Sequence, residues 1–352
     1  MSEDQEILFE QKGQLGIITL NRPKALNALT HEMTLALDKQ LQDWAVDDSI
    51  KAALIKGAGE KAFCAGGDIV KLYNEGKAGG DYPQRFYHDE YICNARVKHF
   101  PKPYIAFVDG IVMGGGVGVS VHGSHRIASE RTLFAMPESG IGLFPDVGGT
   151  YFLPRCPGEI GMYLGLTGAR LKGADCLYAG VADTYVQSVN LEGLEASLTT
   201  MQFSADPHQD VSHLIAVYAE DPGLSGLRDL QAQIDEHFAY STVEEILESL
   251  DREDNEWAAK MAKGLRSKSP TSMKVTCQQI RAGAEFEFDD CMKLEWRLVN
   301  RIIKGVDFYE GTRAVVIDKD QSPVWCPDTL DQVSKEDVDA YFSPLDTGDL
   351  VL

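Results

Sequence analysis

KPYIAFVDGIVMGGGVG, residues 102–118, runs from an apolar strand through a glycine-rich turn into a helix. Tyr104–Val108 (YIAFV) reads as a strand, Asp109-Gly110 as the turn that ends it, and Gly114-Gly115-Gly116 as the start of a small-residue helix carrying Ser120 and His122. Three successive glycines let a ligand touch the backbone. Unpaired N–H groups and the helix dipole favour an anionic oxygen there. Close packing of helix against strand also asks for glycine, so both readings stay open. No Gly-Lys-Ser/Thr follows and the spacing is not G-x-G-x-x-G, which excludes a P-loop and disfavours a dinucleotide-binding fold.

The surrounding chain repeats the pattern. Leu15–Leu20 (LGIITL) is predicted as a strand stopped by Asn21-Arg22-Pro23, and Ala52–Ile55 as another. Between them Met33, Leu37, Leu41 and Trp44 recur at helical spacing over His31–Ala45. Strands with intervening helices indicate an α/β layered architecture. From about residue 200 to 310 the pattern is mostly helical and acidic. Thr242 and Glu245 have capping-box spacing, Ser269-Pro270 precedes a helical run over Met273–Ile280, and Leu294, Val299, Ile302 and Ile303 continue it. The expected division is an α/β core over 1–200 and a mainly helical region over 201–352 packed on it.

Composition narrows the function classes. The chain has 352 residues, 44% hydrophobic and 25% charged, which excludes disorder. Its 54 acidic against 33 basic residues give a net charge of −21, which repels phosphate polymers and anionic membranes. Nucleic acid and membrane are therefore not expected partners, and no run of about 18 apolar residues exists. Seven cysteines, an odd number without a CxxC pair, fit a reducing compartment. The opening Met1-Ser-Glu-Asp-Gln-Glu6 is acidic and shows no leader pattern, so the expected location is cytoplasmic.

Three further segments hold candidate chemistry. Ala62-Phe-Cys-Ala-Gly-Gly-Asp68 offers Gly66-Gly67 N–H groups before a helix start; as a plain turn it would use Asp68 as N-cap. Glu138 and Asp146 lie in the apolar, Gly/Pro-rich stretch FAMPESGIGLFPDVGG (134–149). Poor solvation there raises a carboxyl pKa towards the working pH, the condition for acid–base or nucleophilic work. Taken singly, each could instead cap a helix or a turn. Asn21-Arg22-Pro23-Lys24-Ala25 and Lys71 supply local positive charge and read equally as solvated surface. Gly118-Val-Ser120-Val-His122-Gly123 misses the G-x-S-x-G nucleophile elbow by one place, so Ser120 reads as a packing residue.

Together, NRPKALNAL (21–29), AFCAGGDI (62–69), residues 102–118 and residues 134–149 resemble the crotonase, or enoyl-CoA hydratase/isomerase, superfamily. GLFPDVGG (142–149), YFLPRC with LTGARLKGAD (151–175), SPTSMK (269–274) and GTRAVVIDKDQSP (311–323) are similar to the branch that hydrolyses 3-hydroxyisobutyryl-CoA. The resemblance implies a spiral of ββα units with C-terminal helices, an acyl-CoA substrate, no metal, and no cofactor beyond the coenzyme A of the substrate. It leaves a homo-oligomer open. It implies that the thioester oxygen binds the amides of Gly67 and Gly115, that Glu138 and Asp146 are catalytic, and that Glu90 meets the acyl hydroxyl. Lys24, Ala25, Ala65, Asp68 and Ile69 would lie near the coenzyme A end. Hydratases of the family carry a further acid at the position of Gly118, which counts against water addition. A hydratase or isomerase using Glu138 alone is the second reading, and a non-catalytic acyl-CoA binder the third.

Overall fold

The computed structural model describes residues 5–352. Strands β1 (Ile7–Lys12) and β2 (Leu15–Leu20) form an antiparallel hairpin across Gly13, whose φ of +60° suits glycine. Helix α1 (His31–Val46) starts where Thr30 Oγ1 accepts from Met33 N at 3.2 Å, and it buries the predicted stripe Met33, Leu37, Leu41 and Trp44. There follow β3 (Ala52–Gly57), β4 (Ala62–Cys64), α2 (Ile69–Lys77), α3 (Tyr82–Lys98), β5 (Tyr104–Val108), β6 (Ile111–Met113), α4 (Gly115–Gly118), β7 (His125–Ala128) and β8 (Leu133–Ala135). Then come α5 (Gly149–Phe152), α6 (Ile160–Thr167), α7 (Gly173–Ala179), β9 (Thr184–Tyr185) and α8 (Ser188–Thr200). Beyond β9 no strand occurs among the described residues. The chain runs through α9 (Pro207–Tyr218), α10 (Gly226–Phe238), α11 (Val243–Asp251), α12 (Glu256–Arg266), α13 (Pro270–Gly283), α14 (Phe288–Ile302), α15 (Asp307–Thr312) and α16 (Lys335–Phe342). The predicted caps are present: Thr242 and Glu245 form a capping box and Ser269 caps α13.

The chain divides into two compact units, each drawn from three stretches of the chain. The first holds Met1–Gly67, Ile92–Phe134 and Leu171–Arg228; the second holds Asp68–Tyr91, Ala135–Arg170 and Asp229–Leu352. The sequence reading divides the chain once, near residue 200, instead. In the first unit the large sheet has the order β1-β2-β3-β5-β7-β9, parallel from β2 onward. A smaller sheet has the order β4-β6-β8. Each successive pair, β3-β4, β5-β6 and β7-β8, sends one strand to each sheet, and each turn of the chain advances both sheets by one place. This is the spiral of ββα units that the resemblance implies. Parallel strands covered on both faces read as apolar runs rather than alternations, which is why every residue of β5 is buried. The core joins Leu15, Ile17, Leu54, Ile105, Phe107 and Ile127 of the sheet to Leu191, Leu194 and Leu198 of α8. Each such fully buried side chain contributes about 1.5–3 kcal/mol.

The helix after the triple glycine is shorter than expected. Regular helix ends at Gly118, and Ser120 and His122 lie in the hydrogen-bonded turn that follows. Close packing explains Gly116: a Cβ there would come 2.8 Å from Cys64 Cβ and 2.9 Å from Cys64 C on β4. Gly116→Ala is expected to lower unfolding free energy by about 1–3 kcal/mol, the usual cost of overpacking, as read from a denaturant midpoint. No helix among the described residues is long and apolar enough to cross a membrane.

Candidate active site

In the first unit, β4 pairs in parallel with β6 (Ala62↔Ile111, Cys64↔Val112), so the glycine turns that follow each strand are neighbours. Gly66 has φ +111°, and a side chain on it would come 3.2 Å from Met113 O and 3.6 Å from Gly115 N. Only glycine meets both demands. Ala65 N donates to Leu26 O at 3.0 Å, and Gly66 O accepts from Leu29 N at 2.8 Å, which holds this turn in place. Gly115 is the first residue of α4, so its N–H has no acceptor within that helix. Gly67 follows Gly66 and is half-buried. The two predicted amide donors thus come from adjacent turns. Lys24 and Ala25 are exposed on the 3-10 turn Pro23–Ala25, and Ala65 is half-buried.

Buried Asn27, which the sequence reading passed over, supports this region. Its side-chain nitrogen donates to Ala58 O at 2.9 Å and Ala62 O at 2.8 Å, while its side-chain oxygen accepts from Arg22 N at 3.0 Å. Ser120 Oγ donates to Gly116 O at 2.8 Å and Val117 O at 3.1 Å. A hydroxyl turned onto backbone carbonyls is a packing residue and not a nucleophile.

The second unit assembles the acids. Glu138 opens a 3-10 turn, Glu138–Ile141, that directly follows Pro137, and Asp146 opens the turn closed by Gly149 N to Asp146 O at 2.8 Å. Glu90 and Tyr91 come from α3, and Glu295 from α14. All four carboxyls are buried: Glu90 is 2% exposed, Glu138 4%, Asp146 3% and Glu295 0%. Tyr91 hydroxyl donates to Asp146 Oδ2 at 2.8 Å. Glu138 Oε2 and Glu90 Oε1 are buried without a hydrogen-bond partner, although buried acceptors are nearly always paired. Asp68 Oδ1 accepts from Lys71 N at 3.2 Å and caps α2, whose first residue is half-buried Ile69. Lys71 Nζ sits 4.7 Å from the centre of the Tyr82 ring, not free in solvent.

Burial dominates the electrostatics. It pushes the Glu138 and Glu90 carboxyls well above the ordinary range, and repulsion from Asp146 adds to this in both. Desolvation raises Asp146 to about 7, against the Tyr91 hydrogen bond that favours its charge. Desolvation first, then Asp146, raises Glu295 to about 8, against two backbone N–H donors. The half-buried amine of Lys268 is lowered by desolvation to about 8, and attraction to Glu138 partly restores it. Buried carboxyls that exchange protons near neutral pH suit acid–base and nucleophilic chemistry. Among the described residues no group of three or more His, Cys, Asp and Glu could hold a metal ion.

Glu138 and Asp146, predicted from one segment, and Glu90, predicted from another, therefore belong to one cluster. Tyr91, Glu295 and Lys268 were not anticipated. A local signal existed for Tyr91 and Glu90, since Phe86, Tyr87, Glu90 and Tyr91 recur at helical spacing and put a carboxyl on an aromatic face.

Residues 15–342 match the enoyl-CoA hydratase/isomerase family. A Danio rerio protein named 3-hydroxyisobutyryl-CoA hydrolase, mitochondrial, is 50% identical over 352 residues, covering 99% of this chain and 92% of the relative. The Homo sapiens protein of the same name is 44% identical, covering 98% of this chain and 90% of that one. Among solved structures, a carnitinyl-CoA dehydratase from Mycobacterium thermoresistibile is 40% identical with a TM-score of 0.91, covering 98% of both chains. The mitochondrial relatives overturn the cytoplasmic expectation. That expectation came from the odd cysteine set, the acidic first six residues and the lack of a long apolar run. At this identity and coverage, the chain belongs to the enoyl-CoA hydratase/isomerase family.

Proposed function

We propose that the chain hydrolyses 3-hydroxyisobutyryl-CoA to 3-hydroxyisobutyrate and free coenzyme A, a step of valine breakdown. The observation that carries this is the near full-length identity of 43–50% to proteins that bear this activity in their names. The site's chemistry agrees. The thioester oxygen accepts from Gly67 N and Gly115 N, and each such donor lowers a barrier by about 3–4 kcal/mol. Glu138 carries the attack on the carbonyl carbon, as nucleophile or as base to water. The C–S bond breaks, a C–O bond forms, and the proton from water ends on the leaving thiolate with help from Asp146. Glu90 takes the acyl hydroxyl, and the coenzyme A end runs along Lys24, Ala25, Ala65, Asp68 and Ile69, mostly through backbone contacts.

Water addition to an enoyl-CoA is disfavoured because Gly118 stands where the family's hydratases carry their other acid. A binder without turnover has no use for unpaired Glu138 Oε2 in a buried acid cluster. Incubation with 3-hydroxyisobutyryl-CoA is expected to release thiol, read with a thiol reagent. Loss of enoyl absorbance from an enoyl-CoA without thiol release would replace this reading by the hydratase. Saturable binding with no turnover of any thioester would replace it by the binder.

A further inference from the structure

The turn that carries Asp146 holds an unfavourable backbone. Val147 has φ +51°, a left-handed conformation that a β-branched residue rarely adopts, and Gly148 follows at φ +89°. Such a turn persists only where its surroundings over-determine it. Two buried polar side chains do this from separate helices. Glu295 on α14 accepts from Gly148 N through Oε2 at 2.8 Å and from Thr150 N through Oε1 at 2.9 Å. Gln279 on α13 donates through Nε2 to Pro145 O and to Thr150 Oγ1, both at 2.7 Å. Both side chains are 0% exposed. The four bonds fall on Pro145, Gly148 and Thr150, which flank Asp146 on both sides, and none falls on Asp146 itself.

We propose that Glu295 and Gln279 are positioning residues, a clamp that holds the strained 145–150 turn so that the Asp146 carboxyl meets the reacting centre in one orientation. The inference rests on the reading of Asp146 as a residue of that centre. The geometry separates this role from simple core filling. Glu295 accepts on the turn through both oxygens, and these two N–H donors favour its carboxylate form against the burial that raises it to about 8. Gln in its place keeps one acceptor and points an NH2 group at the other donor. A small displacement of a reacting group costs about 10²-fold in rate. The clamp therefore acts on kcat, and only where there is an Asp146 to position.

The test is a double-mutant cycle on the full chain, with thiol release from 3-hydroxyisobutyryl-CoA as the assay and a melting curve for each variant. Glu295→Gln is expected to lower kcat about 10–100-fold with KM within about threefold. In an Asp146→Asn background the same change is expected to alter kcat by less than about threefold, because no carboxylate remains to be misplaced. A purely structural loss would act through the folded fraction and lower both backgrounds alike. Gln279→Met, which removes both donors at nearly constant volume, is expected to give the same pattern and serves if Glu295→Gln does not fold. Equal losses in the two backgrounds, or wild-type kcat in a folded Glu295→Gln, overturn the clamp. Near-normal turnover of Asp146→Asn alone overturns the reading of Asp146, and the clamp with it.

Discussion

Glu138→Gln is expected to fold as the wild type does and to lower thioester turnover by about 10²–10⁴-fold, the range that a positioned acid–base group contributes. Gln matches Glu in shape, and the site already favours an uncharged group: burial and the neighbouring Asp146 both raise this carboxyl. The substitution therefore removes chemistry without removing packing. Glu138 Oε2 has no partner to lose, and Gln keeps an acceptor oxygen for the backbone N–H that favours the Glu138 charge. Circular dichroism and a melting curve establish the fold, and thiol release measures the rate. Turnover within about tenfold of wild type would remove Glu138 from its role. A single turnover in labelled water then separates the two routes. Label in the Glu138 carboxyl marks an anhydride, and its absence marks attack by water.

Asp146→Asn has the next largest expected effect, a loss of about 10²-fold in turnover together with weaker selection for a hydroxyl on the acyl chain. Tyr91 keeps an acceptor in the Asn carbonyl, so the hydrogen bond to α3 survives. The variant also has a thermodynamic signature. Burial raises the Asp146 carboxyl from 3.8 to about 7. Between about pH 4 and pH 7 the folded chain holds a proton that the unfolded chain has released, so stability falls as pH rises through that window. Glu90, Glu138 and Glu295 contribute with the same sign. Melting temperatures of the wild type are therefore expected to decline from pH 5 to pH 8, and those of Asp146→Asn to decline less. An equal slope in both proteins would place the Asp146 pKa near its ordinary value.

Much of the site was legible locally. Glu138 and Asp146 stand out because each is a charge inside an apolar stretch rich in glycine and proline, where no helical face leads it to solvent. The glycine turns at 66–67 and 114–116 stand out because no other residue type tolerates such close approach. Strand β1 was not anticipated, since Ile7-Leu-Phe-Glu-Gln-Lys12 has no alternation and becomes a strand only by pairing with β2. Glu295 was invisible for a different reason. It sits among Lys293, Trp296 and Arg297 on a helix, and its partner Gly148 is 147 residues away.

The order of amino acids alone therefore determined the repeating strand–turn–helix rhythm, the places where backbone must be bare, and the presence of acids in apolar surroundings. These follow from short-range rules of conformation and solvation, which act within a few residues. The folded chain alone decided that acids from three separate parts of the chain share one desolvated cluster, that Glu295 and Gln279 grip the turn bearing Asp146, and that each compact unit is drawn from three stretches of chain. Those outcomes depend on which helices meet, and burial removes the water that would otherwise have screened each group from the rest.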